Sequence, residues 1–272
     1  MTQATQIIPM QRSRGEARVA LAAGPGAVRL TGLRQQGSAK VILPRVGGRP
    51  EVVFLNTSGG LTGGDALSYA VEIGAGVQAI ATTQTAERAY RSAEGVARVR
   101  VGLSVGAGGF LDWLPQETIL FDGAALDRRT TMALGPGAGC LMLEMVVLGR
   151  PAMGEVVRRL FFRDWRMVEQ GDQPVWVEPL FVDDAALATG PAGLGQARAF
   201  ATLALIRAEA ADLLSPLRQV LDEPGVRAAA SALPGRLMLR AQAPDGWPLR
   251  RQIARALGVL RAGHPLPRVW QM

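Results

Sequence analysis

One cysteine, one histidine and one lysine occur in the 272 residues of this chain: Cys140, His264 and Lys40. A lone thiol cannot close an internal disulfide, and one cysteine with one histidine cannot build a structural zinc site or the usual ligand set of a catalytic one. Cys140 opens the apolar run CLMLEMVVL, which points to a buried structural thiol rather than a nucleophile. Aromatic residues are also scarce, at 5%. That scarcity weighs against a nucleic-acid surface, which needs stacking groups as well as charge. No stretch reaches the ~18 consecutive apolar residues of a membrane span. The N-terminal stretch MTQATQIIPMQRSRGEARVAL lacks the sustained apolar core of a secretory signal, so the expected location is cytoplasmic.

What the chain has is apolar mass, glycine and arginine. It is 48% hydrophobic and 19% charged, with 33 glycines and a formal charge of +7, enough to bury a sizeable core. The arginines are scattered in short clusters such as Arg128-Arg129, Arg158-Arg159 and Arg250-Arg251, a compositional bias and not a basic block.

From about residue 17 to about 195 the pattern is strand-like. Leu67, Tyr69, Val71 and Ile73 alternate with Ser68, Ala70 and Glu72, as a half-buried strand requires. Three segments, VEIGAGVQAIATT, LSVGAGGFLDWLP and MALGPGAGCLMLE, share an apolar strand end, Gly-x-Gly and a second apolar strand. Their first glycines, Gly74, Gly106 and Gly135, are spaced 32 and 29 residues apart. Self-similarity at such a period predicts a mainly β, stacked-strand, β-helix-like body. LAAGPGAVRL around Gly24 reads as a further, irregular copy. LFFRDWRMVEQ and QPVWVEPLF flank Gly171-Asp172 and read as a hairpin.

From about 196 to 272 helices are expected within one continuous domain spanning 1–272. Ala197–Leu214 reads as a helix ended near Pro216, followed by a shorter helix after Asp222 and a strand at Arg236–Arg240. A last helix runs from near Pro248 to about Arg261, and Pro265 and Pro267 hold the tail extended.

The loop NTSGGLTGGD at 56–65 has no Gly-Lys-Ser/Thr ending and is followed by a strand, so it is not a phosphate loop. Tight backbone geometry is its expected purpose. Glu144 interrupts CLMLEMVVL, and Glu178 sits in PVWVEPLF, a strand with two apolar faces. A charge in such a place costs several kcal/mol unless it is paired, hydrogen-bonded or wetted. Two readings stay open for each: a polar passage, or a structural pair with one of the arginines. A carbohydrate-active enzyme with paired carboxylates, Asp183-Asp184 for instance, is the alternative that the stacked strands leave standing.

NTSGGLTGGD at 56–65, TTQTAERAYRS at 82–92, LDWLPQETILFDGA at 111–124, LGRPAMGE at 148–155 and the ending PRVWQM resemble, in order and rough spacing, the urease accessory protein UreD (UreH) family. Thr57-Ser58 departs from it, since many relatives carry proline before the paired glycines. The resemblance implies a non-enzymatic assembly factor that binds UreF and UreG, docks on apo-urease and handles nickel only in transit, with no tightly bound cofactor. It implies an internal passage for nickel lined partly by acids, for which Glu178, Glu144, Asp65 and Glu155 are the candidates by position in the motifs. Gly59, Gly60, Gly63, Gly64, Tyr90 and Arg91 are the motif's structural residues, while Asp112, Glu117 and Asp122 are candidates for holding turns. Sparse carboxylates suit transit, whereas several imidazoles or thiolates would trap the ion. Poor solubility of the isolated chain is a further expectation, at a mean hydropathy of +0.15.

Overall fold

The Gly-x-Gly segments at Gly74, Gly106 and Gly135 each turn the chain from one sheet to the other. The computed structural model of the chain describes residues 11–45, 47–150 and 153–271. About 51% of it is strand and 14% helix, with stacked parallel strands resembling a β-solenoid. The first layer comprises β1 (Arg14–Ala23), β2 (Val28–Gly37), β3 (Ala39–Ile42) and β4 (Glu51–Asn56). The second comprises β5 (Ala66–Ile73), β6 (Gln78–Thr83) and β7 (Glu87–Ala89), and the third β8 (Ala97–Val105), β9 (Phe110–Trp113) and β10 (Thr118–Leu120). Then come β11 (Ala124–Leu134), β12 (Gly139–Leu148), and the hairpin β13 (Leu160–Gln170) with β14 (Gln173–Asp183). The C-terminal part adds α1 (Asp184–Leu187), β15 (Ala199–Ile206), α2 (Leu214–Gln219), β16 (Arg227–Leu233), β17 (Arg236–Ala243) and α3 (Gly246–Leu260).

The strands form two facing sheets. One has the order β14-β13-β11-β8-β5-β1-β2, the other β16-β17-β15-β12-β9-β6-β4-β3, with β10 pairing both β12 and β7. β1, β5, β8, β11 and β13 are mutually parallel in register, as are β4, β6, β9 and β12, so each layer lies on the one before it.

The two glycines of each corner have different causes. A Cβ on Gly106 would lie 2.5 Å from the backbone nitrogen of Ala75, in the corner of the neighbouring layer. Gly108 has φ +65°, the left-handed region that glycine alone enters freely. The corners are also hydrogen-bonded between layers, Gly106 N–H to Ile73 O at 2.7 Å and Gly108 N–H to Pro136 O at 2.9 Å. The Gly24 segment differs from this expectation of a further copy. It closes the antiparallel hairpin β1–β2 and does not cross between the sheets.

The apolar core fills the space between the sheets. A second apolar layer, including Leu141, Leu203, Leu239, Ile253 and Leu257, lies between the outer face of β12, β15 and β17 and the helix α3. The helix is started by the Asp245 carboxylate, which accepts from Trp247 N–H at 2.8 Å. β12 is therefore covered on both sides. Cys140 is fully buried in it, and burial pushes its thiol pKa up, as expected of a structural thiol.

Two helices expected from sequence are absent. Residues 199–206 form β15 because the run AFATLALI is a central strand between β12 and β17 with both faces covered, and such a strand shows no alternation. Pro216 sits inside the first turn of α2, where its missing N–H costs nothing, and the segment after Asp222 leads into β16. α3 and β17 lie where the sequence placed them. Trp270, near the end of the tail, is buried and donates its indole N–H to Leu114 O at 2.9 Å.

Gly106→Ala is expected to destabilise the chain by roughly 1–3 kcal/mol in chemical denaturation, because backbone must move to admit the methyl. Gly102→Ala, on the open outer face of β8 with nothing within 4 Å of the added Cβ, should be neutral or slightly stabilising. Equal losses at both positions would contradict the close-approach account.

Candidate functional site

Strand parity puts a charged group in the middle of the inter-sheet core. On β11, Leu126, Arg128, Thr130 and Met132 share one face, and all four are buried. On β13, Leu160, Phe162, Asp164, Arg166 and Val168 do the same. Arg128 is the hub. Its Nε and Nη2 donate to Asp164 Oδ1 and Oδ2, both at 2.9 Å, and its Nη1 lies 2.9 Å from Thr118 Oγ1 and 2.9 Å from Glu144 Oε2. The planar fork of arginine suits this bidentate grip on a carboxylate. Trp113 donates its indole N–H to Glu144 Oε1 at 3.2 Å.

Register extends the cluster into two polar rows. On the seven-stranded sheet Thr130 stands beside Arg166, and Arg166 beside Glu178. On the facing sheet Glu144 stands beside Thr202, and Thr202 beside Arg240. Glu178 and Arg240 close the end of the rows with an ion pair between the two sheets. Around this end lies a cavity of about 490 Å³ walled by Arg166, Glu178, Leu180, Phe200, Thr202 and Arg240 among others. A smaller cavity of about 40 Å³ lies on the other side of Arg128, lined by Tyr69, Glu87, Trp113, Thr118, Arg128 and Glu144. Thr130 Oγ1, Glu144 Oε2 and Arg166 Nε are buried without an aligned hydrogen-bond partner. Polar atoms in that condition are rare in native interiors and call for water or a ligand.

The electrostatics follow from burial and neighbours. Burial raises the Glu144 pKa, Arg128 opposes the rise and the charge of Asp164 adds to it. Asp164 is as deeply buried, yet Arg128 and Arg166 together hold it below the usual carboxylate range. Glu87, turned into the small cavity, is pushed by loss of water up to about 7 although Asn56 and the Arg88 N–H donate to it.

Glu144 and Glu178 are thus brought to one inter-sheet space from opposite sheets. Both are held by arginine as well, so the polar space and the structural pair coexist. Asp65 and Glu155 line neither cavity. Asp65 accepts from Ser13 N–H at 2.7 Å and Thr62 N–H at 2.8 Å, which closes the glycine loop. Glu155 accepts from Asp122 N–H and Arg150 N–H, each at 3.1 Å. Asp122 in turn receives Arg158 N–H at 2.8 Å and Arg159 N–H at 2.9 Å. Asp112 is buried in an ion pair with Arg261, and Glu117 meets Arg250 at 3.2 Å. Gly59, Gly60 and Gly64 have positive φ, and a Cβ on Gly63 would strike the Glu94 carbonyl at 2.1 Å. The loop packs against the Tyr90-Arg91 segment, where Tyr90 stacks on Phe121 at 5.0 Å and Thr62 Oγ1 donates to Arg91 O at 3.0 Å.

Sequence reasoning missed Arg128, Asp164, Arg166 and Glu87. For the first three, strand parity was the available signal, since each shares a face with apolar neighbours. The convergence of Glu87 on Arg128 had no local signal.

The family model described as UreD urease accessory protein matches residues 13–271. The chain belongs to the UreD family. A urease accessory protein UreD of Cereibacter sphaeroides (strain ATCC 17025 / ATH 2.4.3) is 66% identical over 96% of both chains. That of Paracoccus denitrificans (strain Pd 1222) is 59% identical over 97% of this chain and 94% of its own. That of Rhizobium leguminosarum bv. trifolii (strain WSM2304) is 42% identical over 96% of each. The UreD match therefore includes both sheets and the tail.

Two outcomes test the ionic interior. Arg128→Met leaves Glu144 without its paired cation and Asp164 with Arg166 alone and should cost about 3–5 kcal/mol in urea denaturation, whereas Glu144→Gln, replacing a carboxyl that burial already drives toward neutrality, should cost less than about 2. For Glu87, the unfolded chain ionises near 4.5 and the folded chain near 7, so the folded state holds the extra proton and stability falls as pH rises between them. Glu87→Gln removes that fall. Unfolding free energies of the two proteins should converge below pH 4.5 and separate above pH 7 by on the order of 3 kcal/mol, the variant being the more stable. A pH-independent gap would contradict the assignment.

Proposed function

We propose that this chain is a non-enzymatic urease maturation factor that works with UreF and UreG on apo-urease and passes nickel through the space between its two sheets. The family match over residues 13–271 carries the maturation role, since the relatives are named urease accessory proteins. The facing rows of Glu144, Thr202 and Arg240 with Thr130, Arg166 and Glu178 support the passage, because Glu144, Thr202, Thr130 and Arg166 are buried where apolar packing would be cheaper, while Glu178 and Arg240 lie at the more exposed end.

Nickel is cargo in this reading. Glu178 meets the ion first, and its partner Arg240 has a side chain 60% exposed, so the pair is screened and a dication displaces the guanidinium at small cost. Glu144 comes next, and transit past it requires Arg128 to release its Oε2. The arginines keep the carboxylates from holding the ion tightly, which suits a group that must let its ligand leave. Among the described residues no group of three or more His, Cys, Asp or Glu side chains clusters to hold a metal. The glycosidase alternative gains less support, because Asp183 caps α1 by accepting from Ala186 N–H at 2.8 Å and Asp184 accepts from Leu160 N–H at 2.6 Å, so both acids of that pair are engaged by backbone. The reading keeps the chain in the cytoplasm; among the described residues no helix is long and apolar enough to cross a membrane.

In a reconstituted assay with purified UreF, UreG and apo-urease, omission of this chain should abolish nickel-dependent activation. The double variant Glu144→Ala/Glu178→Ala should still enter the complex while activating less than a tenth as much urease. Full activation by the double variant would remove these two residues from the route, and failure to associate with UreF or apo-urease would remove the maturation role.

A further inference from the structure

The cavity of about 490 Å³ has on its wall one buried guanidinium, that of Arg166, whose Nε lacks an aligned hydrogen-bond partner. Arg166 is only 2% exposed, yet its Nε forms no aligned hydrogen bond. Its distance of 3.2 Å to Asp164 Oδ2 is an ion pair without the alignment of a hydrogen bond, and Asp164 already gives both oxygens to Arg128. A guanidinium carries five donors and does not lose its proton. Burying one whose Nε lacks an aligned acceptor is costly, so a further acceptor, water or a ligand, is called for at this wall.

Arg166 is joined on the cavity wall by Arg227 and Arg240, with Glu178 as the one facing carboxylate. Glu178 is engaged by Arg240, and Gln242, with its amide oxygen turned to Arg227, accepts from that side chain at 2.6 Å. The wall therefore keeps a surplus of positive charge beside an unmatched donor. The rest of it is apolar, formed by Leu180, Val182, Leu194 and Phe200.

We infer that this cavity binds a small organic monocarboxylate, its O–C–O head on Arg166 and its short apolar remainder against Leu180, Val182, Leu194 and Phe200. The planar head matches a guanidinium fork, as it does in protein ion pairs. A doubly charged tetrahedral anion fits less well, because Glu178 repels it and the apolar walls do not solvate it. An apolar pocket with a few convergent polar groups is also the common form of a small-ligand site. The inference does not depend on nickel transit.

Trp176 supplies the readout, since its ring centre lies 5.7 Å from the Arg166 guanidinium carbon. The full-length chain is titrated with sodium acetate, butyrate, bicarbonate and phosphate at constant ionic strength set by sodium chloride, and tryptophan emission is followed. Butyrate should give a saturable change, several-fold tighter than acetate, with bicarbonate weaker than either. Trp176→Phe should remove the signal, and Arg227→Gln and Arg240→Gln should each weaken butyrate at least fivefold. A thermal upshift of the unaltered chain with butyrate over chloride tests binding without any variant. Phosphate or bicarbonate binding more tightly than butyrate, no response beyond chloride, or a response indifferent to both arginine variants would overturn the inference.

Discussion

Inner layers of this chain pass so close at the Gly106 and Gly135 corners that a single methyl group would not fit between them. A Cβ on Gly106 would meet the backbone of the adjoining corner at 2.5 Å, and that closeness fixes where each layer sits on the last. Register follows from the corner and parity from the register. Because β5, β8, β11 and β13 stack in register, every inward position of one strand falls beside an inward position of the next. Arg128 and Asp164 meet for this reason, whereas Arg166 and Glu178 stand opposite each other through the antiparallel hairpin β13–β14. The ionic interior is thus a result of backbone stacking before it is a result of charge.

The features legible in the sequence are those written within a few residues. Gly-x-Gly corners, the Gly171-Asp172 hairpin and the capped helix α3 each carry their cause locally. Residues 199–206 were misread as helix because a strand covered by a second sheet on one side and by a helix on the other has no alternation to show, and its Ala and Leu residues then read as helix formers. Glu144 and Glu178 were visible as charges in apolar company. Arg128 and Arg166 were less so, because in an arginine-rich chain a further arginine attracts no notice unless its parity is followed.

The maturation role and the interior meet in one physical tension. In the proposed passage a dication is drawn by Glu144 and Glu178, while Arg128, Arg166 and Arg240 stand beside them. Burial sharpens the contest, since charges separated from water feel one another more strongly than at the surface. Asp164 decides it locally by remaining ionised between two guanidinium groups.

The bond from Trp270 to Leu114 has a meaning in time as well as in space. Its two ends are 156 residues apart, so at ~5–20 residues per second the ribosome reaches Trp270 roughly ten to thirty seconds after Leu114. For part of that interval the edge of β12 lacks its neighbour β15, and until residues 246–260 are made its outer face lacks the helix α3 that covers it. A nascent chain of this kind carries an open apolar wall until its last helix is made.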